Sequence, residues 1–197
     1  MNTPAHLIVA AAAFAHPERE RGDGAAKVTF AALFGAILPD LSLYLLFAWA
    51  RFVQGRSPQQ IFNIDYFSDA WQAVFAVDNS IPLWVLVLAL AIALRSAIGV
   101  AFAGSGLLHL VTDFLLHNDD ARRHLWPLSD WVFVSPVSYW DPAHYGHIAG
   151  PVEAVMCFVL LAMLWQRFSG WVARGALLIA GALELLPAVA FAIMFAG

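Results

Sequence analysis

Six apolar runs separated by short polar breaks set the pattern of this chain: residues 7–15, 28–49, 81–94, 97–116, 152–165 and 177–195. A helix needs about 20 apolar residues to cross a ~30 Å hydrocarbon core. The 28–49, 97–116 and 177–195 runs meet that length. The 7–15 run predicts a half-membrane or tilted helix. The 81–94 run predicts a helix of only about 21 Å at 1.5 Å per residue, and 69–77 before it predicts an interfacial helix. Pro39-Asp40 interrupts the second run, and proline inside a helix removes a donor and frees a carbonyl. The pattern predicts an all-α, polytopic membrane bundle of five or six embedded helices, with 1–197 forming one domain.

Two polar stretches stand out against these runs, 52–80 and 117–150. Counting spans places both on the same side of the bundle. The second is rich in Trp, Pro and His, and a loop this long without structure of its own is uncommon unless it serves function. Its Trp126, Trp131, Tyr139, Trp140 and Tyr145 suit an interfacial belt or a lid. With the first helix ending in the cytoplasm, Arg19, Arg21, Lys27, Arg95, Arg167 and Arg174 lie inside and Arg51, Arg56, Arg122 and Arg123 outside. That is a faint positive-inside bias.

Composition supports the membrane reading. The chain is 61% hydrophobic and 12% charged, about half the charge of a soluble domain. Mean hydropathy is +0.73. The net charge of −4 comes with no basic run, which leaves nucleic-acid binding without support. Cys157 is the single cysteine and has no partner for an internal disulfide. The first residues lack the basic region of a cleaved signal and read as mature protein.

Ionisable residues inside apolar helices are costly and ask for a partner or a function. His109, Asp113 and His117 are spaced four apart, which puts all three on one helix face. Neutral imidazole and carboxylate are ligands for Zn²⁺ and for harder divalent ions; the same set also suits an Asp–His pair that holds helices together. Asp40, after the proline, is aimed into the bundle, or caps the second half of its helix. His6 stands at the mouth of the first helix. Asp78-Asn79-Ser80 reads as an N-cap or as a further carboxylate for the site. Arg122 and Arg123 suit an anion, or pair with their acidic neighbours in a solvated loop.

In order along the chain come His6, the Gly35 to Asp40 segment ending Leu-Pro-Asp, the His109-x-x-x-Asp113 pair, and Trp126-Pro127-Leu128-Ser129. This order resembles a bacterial family of inner-membrane, metal-dependent hydrolases sometimes described as LexA-binding. More distantly it is similar to zinc-dependent phospholipase C. Two places depart from the family pattern: its second aspartate after Pro-Asp is Ser42 here, and its paired histidines are replaced at Val77-Asp78-Asn79-Ser80.

The resemblance implies a membrane-bound hydrolase in the bacterial inner membrane, using a divalent ion, zinc first, on a lipid or another phosphoester at the interface. His6, Asp40, His109 and Asp113 are the expected ligands, with His117 as a fifth. Arg122 or Arg123 is expected to bind the anion, and Asp78 or Asp120 to act as general base. The partner is membrane lipid. Two other readings stay open, a non-catalytic membrane scaffold and a small metal or proton transporter built on His and Asp.

Overall fold

In a computed structural model, residues 1–17 and 22–195 are described, with side chains for all of these except 23 and 187–195. Arg19 and Arg21, counted above for orientation, lie outside the described residues. The chain is 75% helix, with no strand among the described residues. Among the described residues seven helices of ten residues or more follow one another: α1 (Thr3–Phe14), α2 (Ala25–Ala48, continued by a π-helical turn Trp49–Val53), α3 (Asp69–Asp78), α4 (Ile81–Ala93), α5 (Ala97–Leu116), α6 (Gly146–Arg167) and α7 (Trp171–Phe195). Four helical stretches are long and apolar enough to cross a membrane: Ala25–Val53, Asp69–Ala93, Ala97–Leu116 and Gly146–Arg167. Their outward residues, among them Phe30, Leu45, Leu86, Leu90, Val152 and Val155, are large, apolar and exposed. Such a continuous apolar exterior suits a hydrocarbon surrounding rather than water.

The structure joins two segments that the sequence pattern separates. The expected interfacial helix and the expected short span run end to end as α3 and α4, giving the 25-residue apolar stretch Asp69–Ala93. Ser80 caps α4, its Oγ accepting from the Leu83 N–H at 3.2 Å and donating to the Trp126 carbonyl. Asn79, fully buried, ends α3 and donates from Nδ2 to the Pro39 carbonyl at 3.1 Å. Capping inside the rod satisfies the backbone groups that a helix junction would otherwise leave bare. The last two helices also start earlier than their apolar runs, at Gly146 and Trp171. Pro151 lies in the second turn of α6, past the four leading N–H groups that lack a helical partner, so it removes the hydrogen bond to the His147 carbonyl.

The middle of the bundle is α5, and three consecutive small residues on it face three different helices. A Cβ on Gly104 would meet the Phe14 ring at the end of α1 at 2.7 Å. Ser105 Oγ lies 2.5 Å from the Cβ position of Gly35 on α2. Trp84 of α4 lies flat on Gly106, 2.1 Å from its Cβ position. Between membrane helices, where lipid is as apolar as leucine, close packing of small residues is a main source of attraction.

The polar stretches meet at one end of this bundle. The Tyr66 hydroxyl donates to the Asp120 carbonyl at 3.1 Å, and the Ile81 N–H donates to the His124 carbonyl at 2.9 Å. After α5, residues 135–139 turn back onto its end. Ser135 Oγ donates to the Leu115 carbonyl at 2.6 Å, the Tyr139 N–H to Leu116 at 3.1 Å and the Ser135 N–H to His117 at 3.0 Å. The unpaired carbonyls of the α5 terminus thereby hold the loop, and with it Tyr139 and Trp140, over the end of the bundle.

Gly35→Val is expected to destabilise the protein by about 3 kcal/mol, the upper end of ordinary overpacking, because its Cβ would stand 2.1 Å from the Phe102 carbonyl oxygen. Gly175→Ala, at a position with nothing within 4 Å, should leave the melting temperature in detergent unchanged. Equal melting of both variants would refute the close α2–α5 approach.

Candidate metal centre

Four helical turns from three elements bring the ionisable side chains together. Asn2 starts α1, its Oδ1 accepting from the Ala5 N–H at 2.9 Å, and this sets His6 on the inner face one turn in. On α2, Pro39 prevents the chain from donating back to the preceding turn. The carbonyl left without that donor is Gly35's; the next one, of Ala36, accepts from His109 Nδ1 at 2.7 Å. On α5, His109 and Asp113 share one face and His117 ends the helix.

Ligand atoms of His6, Asp40 and His109 all lie within 4.8 Å of one another. The rings of His6 and His109 stack at 3.6 Å between centroids and 11° between planes. Asp113, 4% exposed, sits against both: its Oδ1 is 3.0 Å from His6 Nε2 and its Oδ2 3.1 Å from His109 Nε2. His117 Nε2 is 3.3 Å from Asp113 Oδ1, and Asp40 Oδ1 is 3.7 Å from His109 Nε2. The amino group of Met1 also donates to Asp113 Oδ1, at 2.9 Å.

Hydrogen bonds to the outer nitrogens assign the neutral tautomers of His109 and His6. A carbonyl only accepts, so His109 Nδ1 bears hydrogen. Thr112 Oγ1 donates to the Leu108 and His109 carbonyls and so offers its oxygen to His6 Nδ1 at 3.4 Å. In the neutral rings both Nε2 lone pairs therefore face carboxylate oxygens at about hydrogen-bond distance. Nε2 of His6, of His109 and of His117 are buried and none makes a hydrogen bond. Lone pairs of nitrogen and oxygen aimed at one another repel unless a cation, a proton or a metal ion, stands between them. The outer nitrogens of the His6 and His109 rings are held by a hydroxyl and a carbonyl, as metal-ligating histidines are. His6, Asp40 and His109 form a group that could hold such an ion; Asp113 faces both imidazoles and shares its Oδ1 with the Met1 amino group, and His117 stands at the edge.

A cavity of about 500 Å³ opens over these groups. Asp40, Asp113, His117, Asp120, Arg122 and Tyr139 are among its lining residues. His117 Nδ1 lies 2.8 Å from Asp120 Oδ2. Burial alone would lower the His117 pKa, but Asp113 and Asp120 outweigh it and raise it to about 9. Burial would raise the Asp120 pKa, and His117 more than reverses this, holding it below the usual carboxylate value. Arg122 is buried, stacked over the Phe75 ring at 4.6 Å, with Nε donating to the Tyr66 hydroxyl and Nη1 to the Pro39 carbonyl, each at 3.4 Å.

Other candidates stand elsewhere. Arg123 pairs with the exposed Asp130 at 3.3 Å and does not line the cavity. Asp78 accepts from its neighbour Asn79 at 2.8 Å and is likewise absent from the lining. Asp141 and His144 pair with each other at 2.6 Å. Glu153 and Glu184 bind Asn2, through its backbone N–H at 3.1 Å and its side-chain amide at 3.2 Å. The sequence pattern passes over Thr3 and Tyr44, which hold Asp40: Thr3 Oγ1 donates to Asp40 Oδ2 at 2.7 Å and lies 2.6 Å from the Tyr44 hydroxyl. It also passes over Thr112 and the Ala36 carbonyl. None of these carries a charge or a motif; they act only because two helices cross there. The spacing of Thr112, three residues after His109 on the same face, is the one signal in the sequence.

No family model, curated protein or solved structure matches this chain.

His124, in the loop, is buried with Nδ1 3.0 Å from the Arg122 carbonyl, and burial lowers its pKa to about 4. The unfolded chain, with an ordinary histidine value near 6.5, binds the proton more readily. The stabilising effect of neutral His124 is therefore complete above pH 6.5 and lost as pH falls towards 4. Thermal melting of wild type and His124→Asn should differ at pH 7 and converge by pH 4. A gap that stays constant across that range would contradict a neutral buried His124.

Proposed function

We propose that this protein is a membrane-bound, metal-dependent hydrolase of the bacterial inner membrane, acting on a phosphoester at the lipid interface, with five or six of its helices embedded. The observation that carries the reading is the set of buried Nε2 atoms of His6, His109 and His117, none of them hydrogen-bonded, facing the carboxylates of Asp40 and Asp113 beneath a cavity lined in part by Asp40, Asp113, Asp120 and Arg122. The motif order shared with inner-membrane metal-dependent hydrolases points the same way.

His6, Asp40, His109 and Asp113 hold the ion, with zinc the best match to two imidazoles and two carboxylates. A bound divalent ion lowers the pKa of water and polarises a phosphoryl oxygen. The chain's own groups do the rest. Arg122, whose guanidinium is fixed by Tyr66, Phe75 and the Pro39 carbonyl, orients the anionic phosphate. Asp120, at the cavity wall and held by His117, takes the role of general base, in preference to Asp78 outside it. Water oxygen bonds to phosphorus and the P–O bond to the alcohol breaks. The proton lost by water passes to the Asp120 carboxylate and returns to the departing alkoxide. Tyr139 and Trp140 cover the cavity and limit water.

A transmembrane relay is the weaker reading. One turn beyond the ligands, Gly35 and Ser105 pack too closely for a Cβ, which closes the α2–α5 seam towards the other end of the bundle.

The purified protein should bind one equivalent of zinc with micromolar or tighter Kd, measured by calorimetry after chelation. His109→Ala and Asp113→Ala should each weaken this by about 100-fold or more, at or above the upper end of losses seen for outer-shell partners. Zinc-dependent hydrolysis of bis(p-nitrophenyl) phosphate should fall about tenfold or more in Arg122→Gln, consistent with loss of a charge-assisted contact, and remain unchanged in Arg123→Gln. If wild type binds no zinc at micromolar concentration, the hydrolase reading fails.

A further inference from the structure

A second cavity of about 400 Å³ runs beside the first, between α1, α2, α6 and α7. Pro4 lines both cavities. From there the second follows Leu7, Ile8 and Ala11 down α1 and reaches Ala15 and Phe168 at the far end. The 12 residues of α1 make it roughly 18 Å long, close to the depth of one leaflet of a ~30 Å core. Thr29 is its one polar lining residue. On its rim Ile179 and Leu183 are 62% and 44% exposed, so the groove opens sideways to whatever surrounds the bundle.

We propose that this groove holds the hydrocarbon tail of an amphiphile whose anionic phosphate head occupies the polar cavity. The inference rests on the hydrolase reading and narrows its substrate to a lipid phosphoester rather than a water-soluble one. Three observations carry it. The groove is lined by apolar side chains apart from Thr29 and opens sideways past Ile179 and Leu183, so its surface suits a hydrocarbon chain and not water. The polar cavity supplies the complementary end, with the Arg122 guanidinium for the head. Pro4 lines both cavities, so the two compartments adjoin there, the one that holds Arg122 first and the apolar one after, in the order of such a molecule. A tail already in lipid gains little hydrophobic energy on entering an apolar groove. The groove therefore positions rather than attracts: it sets how far the head stands from His6 and Asp113.

The test uses the full chain in nanodiscs and hexadecyl phosphate with a diazirine on its terminal carbon, with labelled residues mapped by mass spectrometry. Label should concentrate on Ala15, Leu164 and Phe168, on the order of tenfold over the exposed Leu86 and Leu90 of α4. Ala11→Phe should plug the groove and remove that excess, with zinc affinity and α4 labelling unchanged. Ala176→Phe, from the opposite wall, keeps the test open if Ala11→Phe does not fold. Even labelling of all lipid-facing residues overturns the proposal. So does groove labelling that survives both plugs, or equal groove labelling by the phosphate-free diazirine alcohol, which marks bilayer lipid filling only. If zinc does not bind while the phosphate probe still labels the groove and both plugs remove it, the hydrolase reading falls and the groove stands.

Discussion

A buried carboxylate, Asp113, is the constraint that the polar end of this bundle is built around. An ionised carboxylate taken out of water costs several kcal/mol unless it is paired and hydrogen-bonded, and Asp113 lies in the last turns of an apolar helix. The structure surrounds it with three imidazoles and an amino group at 2.9–3.3 Å. Those groups come from α1, from α5 and from its end. Each ring is in turn held from its outer side by a different partner: Thr112 for His6, the Ala36 carbonyl for His109, Asp120 for His117. Removing one imidazole leaves charge in a low-dielectric place and releases a helix at the same time. Stability and chemistry draw on the same contacts here.

That polar layer depends on how closely the helices approach, which is a matter of small residues. Gly35 stands four residues before Pro39 and Ser105 four residues before His109. The tightest contact of α2 with α5 is therefore one turn beyond the ligand layer on both helices. It fixes the separation of Asp40 from His109 much as a hinge pin fixes two arms. On the other flanks of α5, Gly104 and Gly106 admit Phe14 and Trp84, so α1 and α4 are set from the same three-residue step. A bulkier residue at any of these positions would move a helix outward and the ligands with it.

The apolar runs made the helical membrane class and most helix positions legible, because length and hydropathy are local properties. The i, i+4 spacing of His109, Asp113 and His117 was legible for the same reason, and the Pro39-Asp40 break pointed to the partner helix. What was not legible is set by crossing helices. The 81–94 run looked too short to span because the buried Asn79-Ser80 junction, which joins it to 69–78, reads as a break in any local pattern. The division between Arg122 and Arg123 was equally hidden. Two adjacent arginines are alike in sequence, yet one is stacked on Phe75 inside the cavity wall and the other meets Asp130 outside. Loop geometry decided it: the Asp120 and His124 carbonyls accept from Tyr66 and Ile81, and the Arg122 guanidinium donates to Tyr66 and the Pro39 carbonyl, contacts that no periodicity announces.

Ser42 lies beside Asp78, where α2 meets the end of α3. An aspartate at 42 would face Asp78 in a low-dielectric setting, where two like charges repel strongly. With serine at 42 a single carboxylate remains in that place, next to Asn79, which spends its amide on the Pro39 carbonyl. Asn79 and Ser80 serve the α3–α4 junction, and Asp78 turns to Asn79. The ionisable groups that converge are His6, Asp40 and His109, with Asp113 and His117 beside them. The turn after α5 that carries Asp120 and Arg122 is tied to the same end of the bundle through Tyr66 and the Pro39 carbonyl, so the loop and the polar layer hold each other in place.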